Sequence, residues 1–290
     1  MFFAAGPMFG VSNPGVNLPT FEPGSVWLTG AGPGDPGLLT LHALNGLCQA
    51  DVVVYDALVG ADILSLARPG ALLESAGKRG GRPSPRQRDI SARLVTLAQK
   101  GRRVLRLKGG DPYVFGRGAE EALALVAAKI PFRVIPGISA GIGGLAYAGI
   151  PLTSRDTNHA VTFVTGHMAG GALPDGLDWR AIAQGSPVVV LYMGLTHVDR
   201  VAEAFIAAGR AQDEPVAIVS RATLPDQSVL ETTLGRIVQD VSERQPDTPA
   251  IIVIGEVVRL RSGLDWLGAL LGGRSLEADP LGHYVRLAAS

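Results

Sequence analysis

The sequence predicts an α/β protein of two domains, with a largely parallel sheet in the first domain and a mixed sheet in the second. Between residues 25 and 136, short apolar runs alternate with helical spacings, an alternation that is typical of parallel sheets. Later apolar runs, at 215–220, 229–233 and 250–254, lie close enough along the chain to favour some antiparallel pairing. With 290 residues, of which 47% are hydrophobic, the chain can build about two ordinary cores.

We divide the chain into four parts. A flexible tail is expected at 1–24, the first domain at 25–136, the second domain at 137–262 and a C-terminal extension at 263–290. The tail has no Lys or Arg, so it does not read as a signal peptide. The most membrane-like window, 130–152, is interrupted by prolines, glycines and an arginine, which argues against a span. We therefore expect a soluble, cytoplasmic protein.

Composition excludes several classes of partner. Net charge is zero and the pI is about 7.0, so no general attraction to nucleic acid or to an anionic membrane is expected. Cys48 is the only cysteine, which excludes an intrachain disulfide and a thiol-based metal site. The five histidines show no metal-ligand spacing, and we predict no metal site.

The strongest candidate for a ligand site follows the apolar run 104–107. Glycines, Asp111 and Arg117 are concentrated in the sequence GGDPYVFGRG at 109–118, between a predicted strand end and a predicted helix start. Ligands of open α/β sheets bind beyond the carboxyl ends of strands, and glycine lets a ligand lie against bare backbone. The alternative is an ordinary strand-to-helix turn.

A second glycine-rich loop, GAGPGDP at 30–36, follows the first predicted strand. A dinucleotide-binding loop would need glycine where Asp35 stands, and Pro33 removes a backbone N–H that a pyrophosphate would want. A ligand without phosphates suits this loop better. A nucleotide-dependent oxidoreductase is kept as an alternative, which binding of NAD would support.

Two further candidates lie between these loops. Asp56 ends the second predicted strand, where it is either a functional carboxylate or a turn residue. Basic residues among glycines and prolines at 77–88, Lys78 included, predict a mobile basic flap. The alternatives for this segment are a solvated charge run and a non-catalytic binder of anionic ligands.

Together, the motifs at 30–36, 108–121, 136–140, 151–156 and 192–194 resemble those of the tetrapyrrole methyltransferases, over residues of about 25 to 260. The resemblance implies two α/β domains, a homodimer, and S-adenosylmethionine bound folded in the cleft between the domains. It implies C-methylation of uroporphyrinogen III, first to precorrin-1 and then to precorrin-2, with S-adenosylhomocysteine as by-product. It further implies that this product feeds the synthesis of sirohaem, cobalamin or haem d1. A methyltransferase of the same fold that acts on a later corrinoid precursor is the alternative.

The resemblance also implies roles for single residues. Asp56 matches a proton acceptor, Lys78 a proton donor, and Arg117 a substrate-binding position that we also expect to matter for catalysis. The positions that match cofactor contacts are Pro33, Gly109, Gly110, Asp111, Val114, Ser139, Ala140, Met193 and Ala222. The positions that match substrate contacts are Arg117, Glu120, Arg155 and Met193.

Physical expectations accompany these roles. Asp35 and Asp111 suit a cationic sulfonium, and the glycines beside Arg117 should leave room for a large ligand while Arg117 faces the cleft rather than pairing with Glu120 or Glu121. Two positions depart from the family pattern. Ala222 stands where glycine is common, which puts its backbone contact in doubt, and Ser154 stands where histidine is common.

Overall fold

The computed structural model describes residues 17–77, 87–166 and 176–282. Its first sheet consists of five parallel strands in the order β3-β2-β4-β1-β5. These are β1 Val26–Gly30, β2 Val52–Tyr55, β3 Leu72–Ser75, β4 Val104–Lys108 and β5 Phe132–Ile135. All five carboxyl ends therefore meet at one edge of the sheet, and the predicted loops after β1, β2, β4 and β5 leave from that edge.

The second sheet has the order β6-β7-β10-β8-β9, and only its β6–β7 pair is parallel. Its strands are β6 Thr162–Thr165, β7 Val189–Tyr192, β8 Pro215–Ser220, β9 Ser228–Thr233 and β10 Ala250–Ile254. The predicted fold class, a largely parallel first sheet and a mixed second sheet, is confirmed.

Helices cover the faces of both sheets. They are α1 Leu41–Gln49, α2 Ala61–Leu64, α3 Gln87–Gln99, α4 Gly118–Ala127, α5 Ala140–Tyr147, α6 Trp179–Gly185, α7 Val198–Ala207, α8 Ile237–Arg244, α9 Arg261–Leu264 and α10 Trp266–Leu270. The central strands β1 and β4 are buried along their whole length, whereas β3, the outermost strand on one side of the sheet, is partly exposed. This explains why the apolar runs of β1 and β4 lack the alternation of a half-buried strand.

The helix α5 belongs to the core of the second sheet. Its Leu145 is fully buried in a cluster that includes Val190 of β7 and Val253 of β10. The chain thus crosses from one sheet to the other in the short stretch between β5 and α5, where Gly137 and Ser139 lie.

The structure differs from the predicted flexible tail over residues 17–24. Phe21 is fully buried and stacks on Trp27, with ring centroids 4.2 Å apart. Its backbone N–H also donates to Gln49 Oε1 at 3.0 Å. This apolar anchor covers one end of the first core, and residues 1–16 lie outside the described residues. Among the described residues, no helix is both long and apolar enough to cross a membrane.

Candidate active site

Three strand ends of the first sheet touch through bare backbone. A Cβ added to Gly30 would lie 2.5 Å from Gly110 O and 2.5 Å from Gly137 Cα, and one added to Gly137 would lie 2.2 Å from Gly110 O. Gly32 and Gly110 also exchange backbone hydrogen bonds of 3.2 and 2.7 Å. Only glycine fits Gly30 and Gly137, so these two positions serve the packing of the loops.

Gly110 presents an open face to the start of α5. Its φ is +66°, and an added Cβ would lie 3.8 Å from Ser139 Cα and 4.0 Å from Ala140 N, which is ordinary contact rather than a clash. The predicted cofactor positions 110, 139 and 140 therefore border one gap. A side chain at 110 would fill that gap, and this observation fits a ligand that lies against the backbone.

Tyr192, the last residue of β7 in the second sheet, contacts the start of α5 at this site. Its hydroxyl accepts from the backbone N–H of Gly141 at 2.8 Å and lies 2.7 Å from Ser139 Oγ. The ring of Phe115, from the loop after β4, lies 5.0 Å from the Tyr192 ring. Burial raises the pKa of the Tyr192 phenol, so it remains a neutral hydrogen-bonding group. Met193 follows with a φ of +53° and a half-exposed side chain.

The loop after β8 meets the loop after β1. Thr223 Oγ1 accepts from the backbone N–H of Asp35 at 3.0 Å, and the Tyr147 hydroxyl donates to Asp35 Oδ2 at 2.8 Å. That hydrogen bond raises the pKa of Tyr147. Ala222 is buried, and a Cβ on Gly144 of α5 would lie 2.7 Å from the Ala222 Cβ. The alanine that departs from the family pattern is thus accommodated by a glycine opposite.

The two carboxylates of these loops make hydrogen bonds within the loops. Asp111 is used inside the loops: its oxygens accept from Tyr113 N at 2.8 Å and Gly137 N at 2.9 Å. Asp35 likewise accepts from Gly37 N at 2.7 Å and from Tyr147, so both carboxylates brace the backbone. That the two negative charges suit a cationic sulfonium stays a prediction.

The glycines beside Arg117 do not leave room for a ligand. A Cβ on Gly116 would lie 2.8 Å from Pro112 O, and one on Gly118 would lie 2.4 Å from the same oxygen. Gly118 N in fact donates to Pro112 O at 2.9 Å. The two glycines let the loop fold tightly on itself. This tight loop places Arg117 directly before the first residue of α4.

Arg117 pairs with its neighbour, contrary to the expectation that it would face the cleft unpaired. Its Nε and Nη2 donate to the two carboxylate oxygens of Glu120 at 2.9 and 2.8 Å. Both side chains are more than half exposed. The hydrogen bond from Arg117 lowers the pKa of Glu120. Because exposed pairs contribute little free energy, a carboxylate of a ligand can compete with Glu120 for the guanidinium.

Asp56 lies at the same sheet edge, in a cluster that sequence reasoning did not find. Its Oδ1 pairs with Arg106 Nη2, and its Oδ2 lies 3.4 Å from Lys108 Nζ. Glu121 Oε1 lies 3.1 Å from Arg106 Nε and 3.2 Å from Lys108 Nζ. The signal available was the charged pair Arg106 and Lys108 inside an otherwise apolar buried strand.

The other predicted residues are placed as follows. Pro33 packs toward α5, and Gly109 faces Leu58, whose Cβ would lie 3.0 Å from an added Cβ. Val114 is partly exposed in the loop after β4. Arg155 is exposed in a turn that Asn158 closes by accepting from Ser154 N at 3.3 Å. Lys78 lies outside the described residues.

Unusual backbone conformations accumulate at this site. Among the described residues, seven non-glycine residues have a positive φ, and five of them lie in the loops after β4, β7 and β8. These five are Phe115, Arg117, Met193, Arg221 and Thr223. Such conformations cost free energy and tend to cluster at functional sites, so this distribution supports the same location independently of motifs.

Comparison with known proteins places the chain in a family. The family model of the tetrapyrrole (corrin/porphyrin) methylases matches residues 25–238. A uroporphyrinogen-III C-methyltransferase of Sinorhizobium sp is 64% identical over 268 residues, which cover 92% of this chain and 95% of that protein. A siroheme synthase of Yersinia enterocolitica is 49% identical over 84% of this chain, but the chain spans only 51% of its length.

Solved structures are similar as well. A uroporphyrin-III C-methyltransferase of Thermus thermophilus, complexed with S-adenosylhomocysteine, has a TM-score of 0.71 and 38% identity, covering 81% of this chain and 99% of that one. A cobalt precorrin-4 methyltransferase has a TM-score of 0.72 and 27% identity, covering 81% of this chain and 96% of that one. The family match over most of the chain, the fold and the loop geometry together lead to one conclusion: the chain belongs to the tetrapyrrole (corrin/porphyrin) methylases.

Proposed function

We propose that this chain transfers methyl groups from S-adenosylmethionine to carbon atoms of uroporphyrinogen III, giving precorrin-1 and then precorrin-2. The observation that carries the proposal is the gap between Gly110 and the Ser139–Ala140 backbone, at the sheet edge where Asp56 also lies. The substrate is taken from the 64% identical relative, whose name specifies it.

The residues around the gap fit the donor. Backbone at Gly110, Ser139 and Ala140 would hold it from two sides. The family resemblance adds further contact positions, namely Pro33, Gly109, Asp111, Val114, Met193 and Ala222. When bound, S-adenosylmethionine supplies an electrophilic methyl group on a sulfonium. Tyr192 keeps the start of α5 in place through Ser139 and Gly141, so the gap is preformed rather than built on binding.

The chain's own chemistry is alignment followed by proton removal. An electron-rich pyrrole carbon needs orientation toward the methyl group more than activation, and alignment alone supplies much of a rate enhancement. The methylated ring is cationic and must lose a proton. We assign the role of proton acceptor to the carboxylate of Asp56, which is about 30% exposed at the sheet edge. Lys78, at the position of the family's proton donor, keeps that role as a proposal.

Substrate binding is assigned to groups that face outward. Uroporphyrinogen III carries several carboxylates, and the exposed Arg117 fork matches a carboxylate in two parallel hydrogen bonds. Glu120 would be displaced from Arg117 and would be free to accept hydrogen bonds from pyrrole N–H groups. Arg155 and Met193 complete the proposed set.

A later corrinoid precursor is the second candidate substrate, favoured by the similarity to a cobalt precorrin-4 methyltransferase. The test supplies donor with an isotopically labelled methyl group and either substrate, then counts labelled methyl groups on the tetrapyrrole by mass spectrometry. We expect two on uroporphyrinogen III and none on the later precursor, with Asp56→Asn slowing turnover strongly while binding S-adenosylhomocysteine within a few-fold of the parent. Label only on the later precursor would overturn the proposal.

We also propose that the chain is a cytoplasmic homodimer, divided into domains at 136/137 and 262/263. The first domain boundary is supported by the passage of the chain from the first sheet to the core of the second between β5 and α5. The dimer is supported by the family resemblance and by exposed apolar side chains, namely Leu123 and Val126 on α4 and Ile142 on α5. Light scattering after size-exclusion chromatography would give twice the 30.1 kDa chain mass for a dimer.

A further inference from the structure

Behind Asp56 lies a set of charges that the proposed chemistry does not use. Arg106, Lys108 and Glu121 are 1%, 4% and 0% exposed at their side chains, whereas Asp56 is 30% exposed. Arg106 also donates to the backbone oxygens of Val54 and Leu107, at 3.3 and 3.4 Å. The two cations and two carboxylates balance in charge, and of the four side chains only that of Asp56 is accessible to solvent to more than a few per cent.

Such a cluster is an expensive way to fill a core. Buried ion pairs seldom stabilise a protein more than well-packed apolar side chains of similar volume would. Glu121 Oε2 has no hydrogen-bond partner among the described residues, which adds to the cost. The arrangement of Asp56 gives a reason to keep it, because each carboxylate oxygen of Asp56 faces a different cation.

We infer that Lys108 is a positioning residue that acts through Asp56: with Arg106 it fixes the carboxylate plane at the angle needed for proton removal. Arg106 holds Oδ1 and Lys108 holds Oδ2, so rotation of the carboxylate would break one contact or the other. Glu121 balances the second buried cation. The inference rests on the proposed function, in which Asp56 accepts the proton.

Among the described residues, both ion-pair partners of Asp56 come from β4. From β4 it faces Arg106 and Lys108, and from α4 Glu121 stands behind them. The helix α3 contributes Gln87, an uncharged amide that donates to Glu121 Oε1 at 2.9 Å. Because Arg106 remains when Lys108 is removed, loss of Lys108 frees one oxygen without detaching the whole side chain.

A double-mutant cycle on Asp56→Asn and Lys108→Met tests the inference. Each single variant leaves one unbalanced charge, whereas the double variant keeps the neutral Arg106–Glu121 pair and should fold. We expect Lys108→Met to lower kcat by about ten- to a hundredfold on uroporphyrinogen III, with the KM and the Kd of S-adenosylhomocysteine within about twofold. In the Asp56→Asn background, Lys108→Met should cost less than about twofold further.

A purely structural role for Lys108 predicts a different pattern, namely the same fractional loss in both backgrounds, and that result would overturn the inference. If Lys108→Met does not fold, the double variant Lys108→Met/Glu121→Gln replaces it, because it keeps Asp56 paired with Arg106 and leaves the cluster neutral. This double variant should show the same loss of kcat. An unchanged kcat in it would also overturn the inference. A parent chain that methylates nothing would instead overturn the proposed function, and this inference with it.

Discussion

The pairs Arg106–Glu121 and Arg117–Glu120 both join an arginine to a glutamate within the segment from β4 to α4. Glu120 and Glu121 are neighbours in sequence, yet Glu121 is fully buried and Glu120 is more than half exposed. The first arginine sits in a strand at the sheet core, and the second sits on a tight loop at the sheet edge. Solvation, not residue type, separates their roles.

A buried pair cannot exchange partners cheaply, since each charge depends on the other for its solvation. An exposed pair can, since water and a ligand carboxylate both compete for the guanidinium. We therefore read Arg106–Glu121 as the fixed support of Asp56, and Arg117–Glu120 as a pair that opens for substrate.

The largest effect expected from this comparison is on stability. Glu121→Gln keeps the shape of the side chain but leaves Asp56 as the one carboxylate that, among the described residues, pairs with Arg106 and Lys108. It should therefore lower the free energy of unfolding by about 3–5 kcal/mol. Urea denaturation measures the loss. A change below about 1 kcal/mol would mean that the cluster is hydrated and not a core feature.

Arg117→Lys should be next in size, and should act on catalysis. Lysine keeps the charge but cannot make two parallel hydrogen bonds, so we expect turnover of uroporphyrinogen III to fall by roughly ten- to a hundredfold with unchanged binding of S-adenosylhomocysteine.

Arg93→Lys provides a matched control for Arg117→Lys. Arg93 makes the same two-point contact with Glu74 on the surface, at 2.9 and 2.5 Å, between α3 and β3. It should leave turnover unchanged. Equal turnover of Arg117→Lys and Arg93→Lys would assign Arg117 to surface pairing alone.

The smallest effect is expected for Glu120→Gln, the exposed counterpart of Glu121→Gln. The hydrogen bond from Arg117 lowers the pKa of Glu120 in the folded protein. The Arg117–Glu120 pair therefore stabilises the protein at pH values above the pKa of an unfolded glutamate, and this contribution disappears as the pH falls through the lowered pKa. At neutral pH the loss should stay below about 1 kcal/mol. Denaturation curves at neutral and acidic pH compare the two; a loss equal to that of Glu121→Gln would remove the distinction.

Sequence reasoning reached the sheets and the loops because both are local signals. Apolar runs such as 104–107 and 250–254 indicate strands, and glycines at their carboxyl ends indicate close backbone contact. The helix α6 was missed: it is short, only Ala183 is buried, and its one clear signal is the cap in which Asp178 accepts from Ala181 N.

The support of Asp56 was out of reach for a different reason. Asp56 reaches Arg106 and Lys108 because β2 pairs with β4, and Glu121 reaches them from α4; spacing along the chain does not encode either contact. The same holds for Tyr192, which reaches Ser139 from the other sheet. Gly116 and Gly118 show another limit of sequence reasoning. The sequence alone does not distinguish a glycine that makes room for a ligand from one that makes room for a backbone carbonyl of its own loop.

Binding of S-adenosylhomocysteine to Gly110→Ala and Gly101→Ala, measured by calorimetry, tests the cofactor gap most directly. Both glycines have a positive φ, +66° and +75°, so both alanines carry a similar backbone cost of roughly 1–2 kcal/mol. An added Cβ meets nothing within 4 Å at Gly101, but at Gly110 it enters the gap toward Ser139. We predict that Gly101→Ala binds like the parent and that Gly110→Ala binds at least about tenfold more weakly. Equal affinity in the two variants would contradict a donor site against the Gly110 backbone.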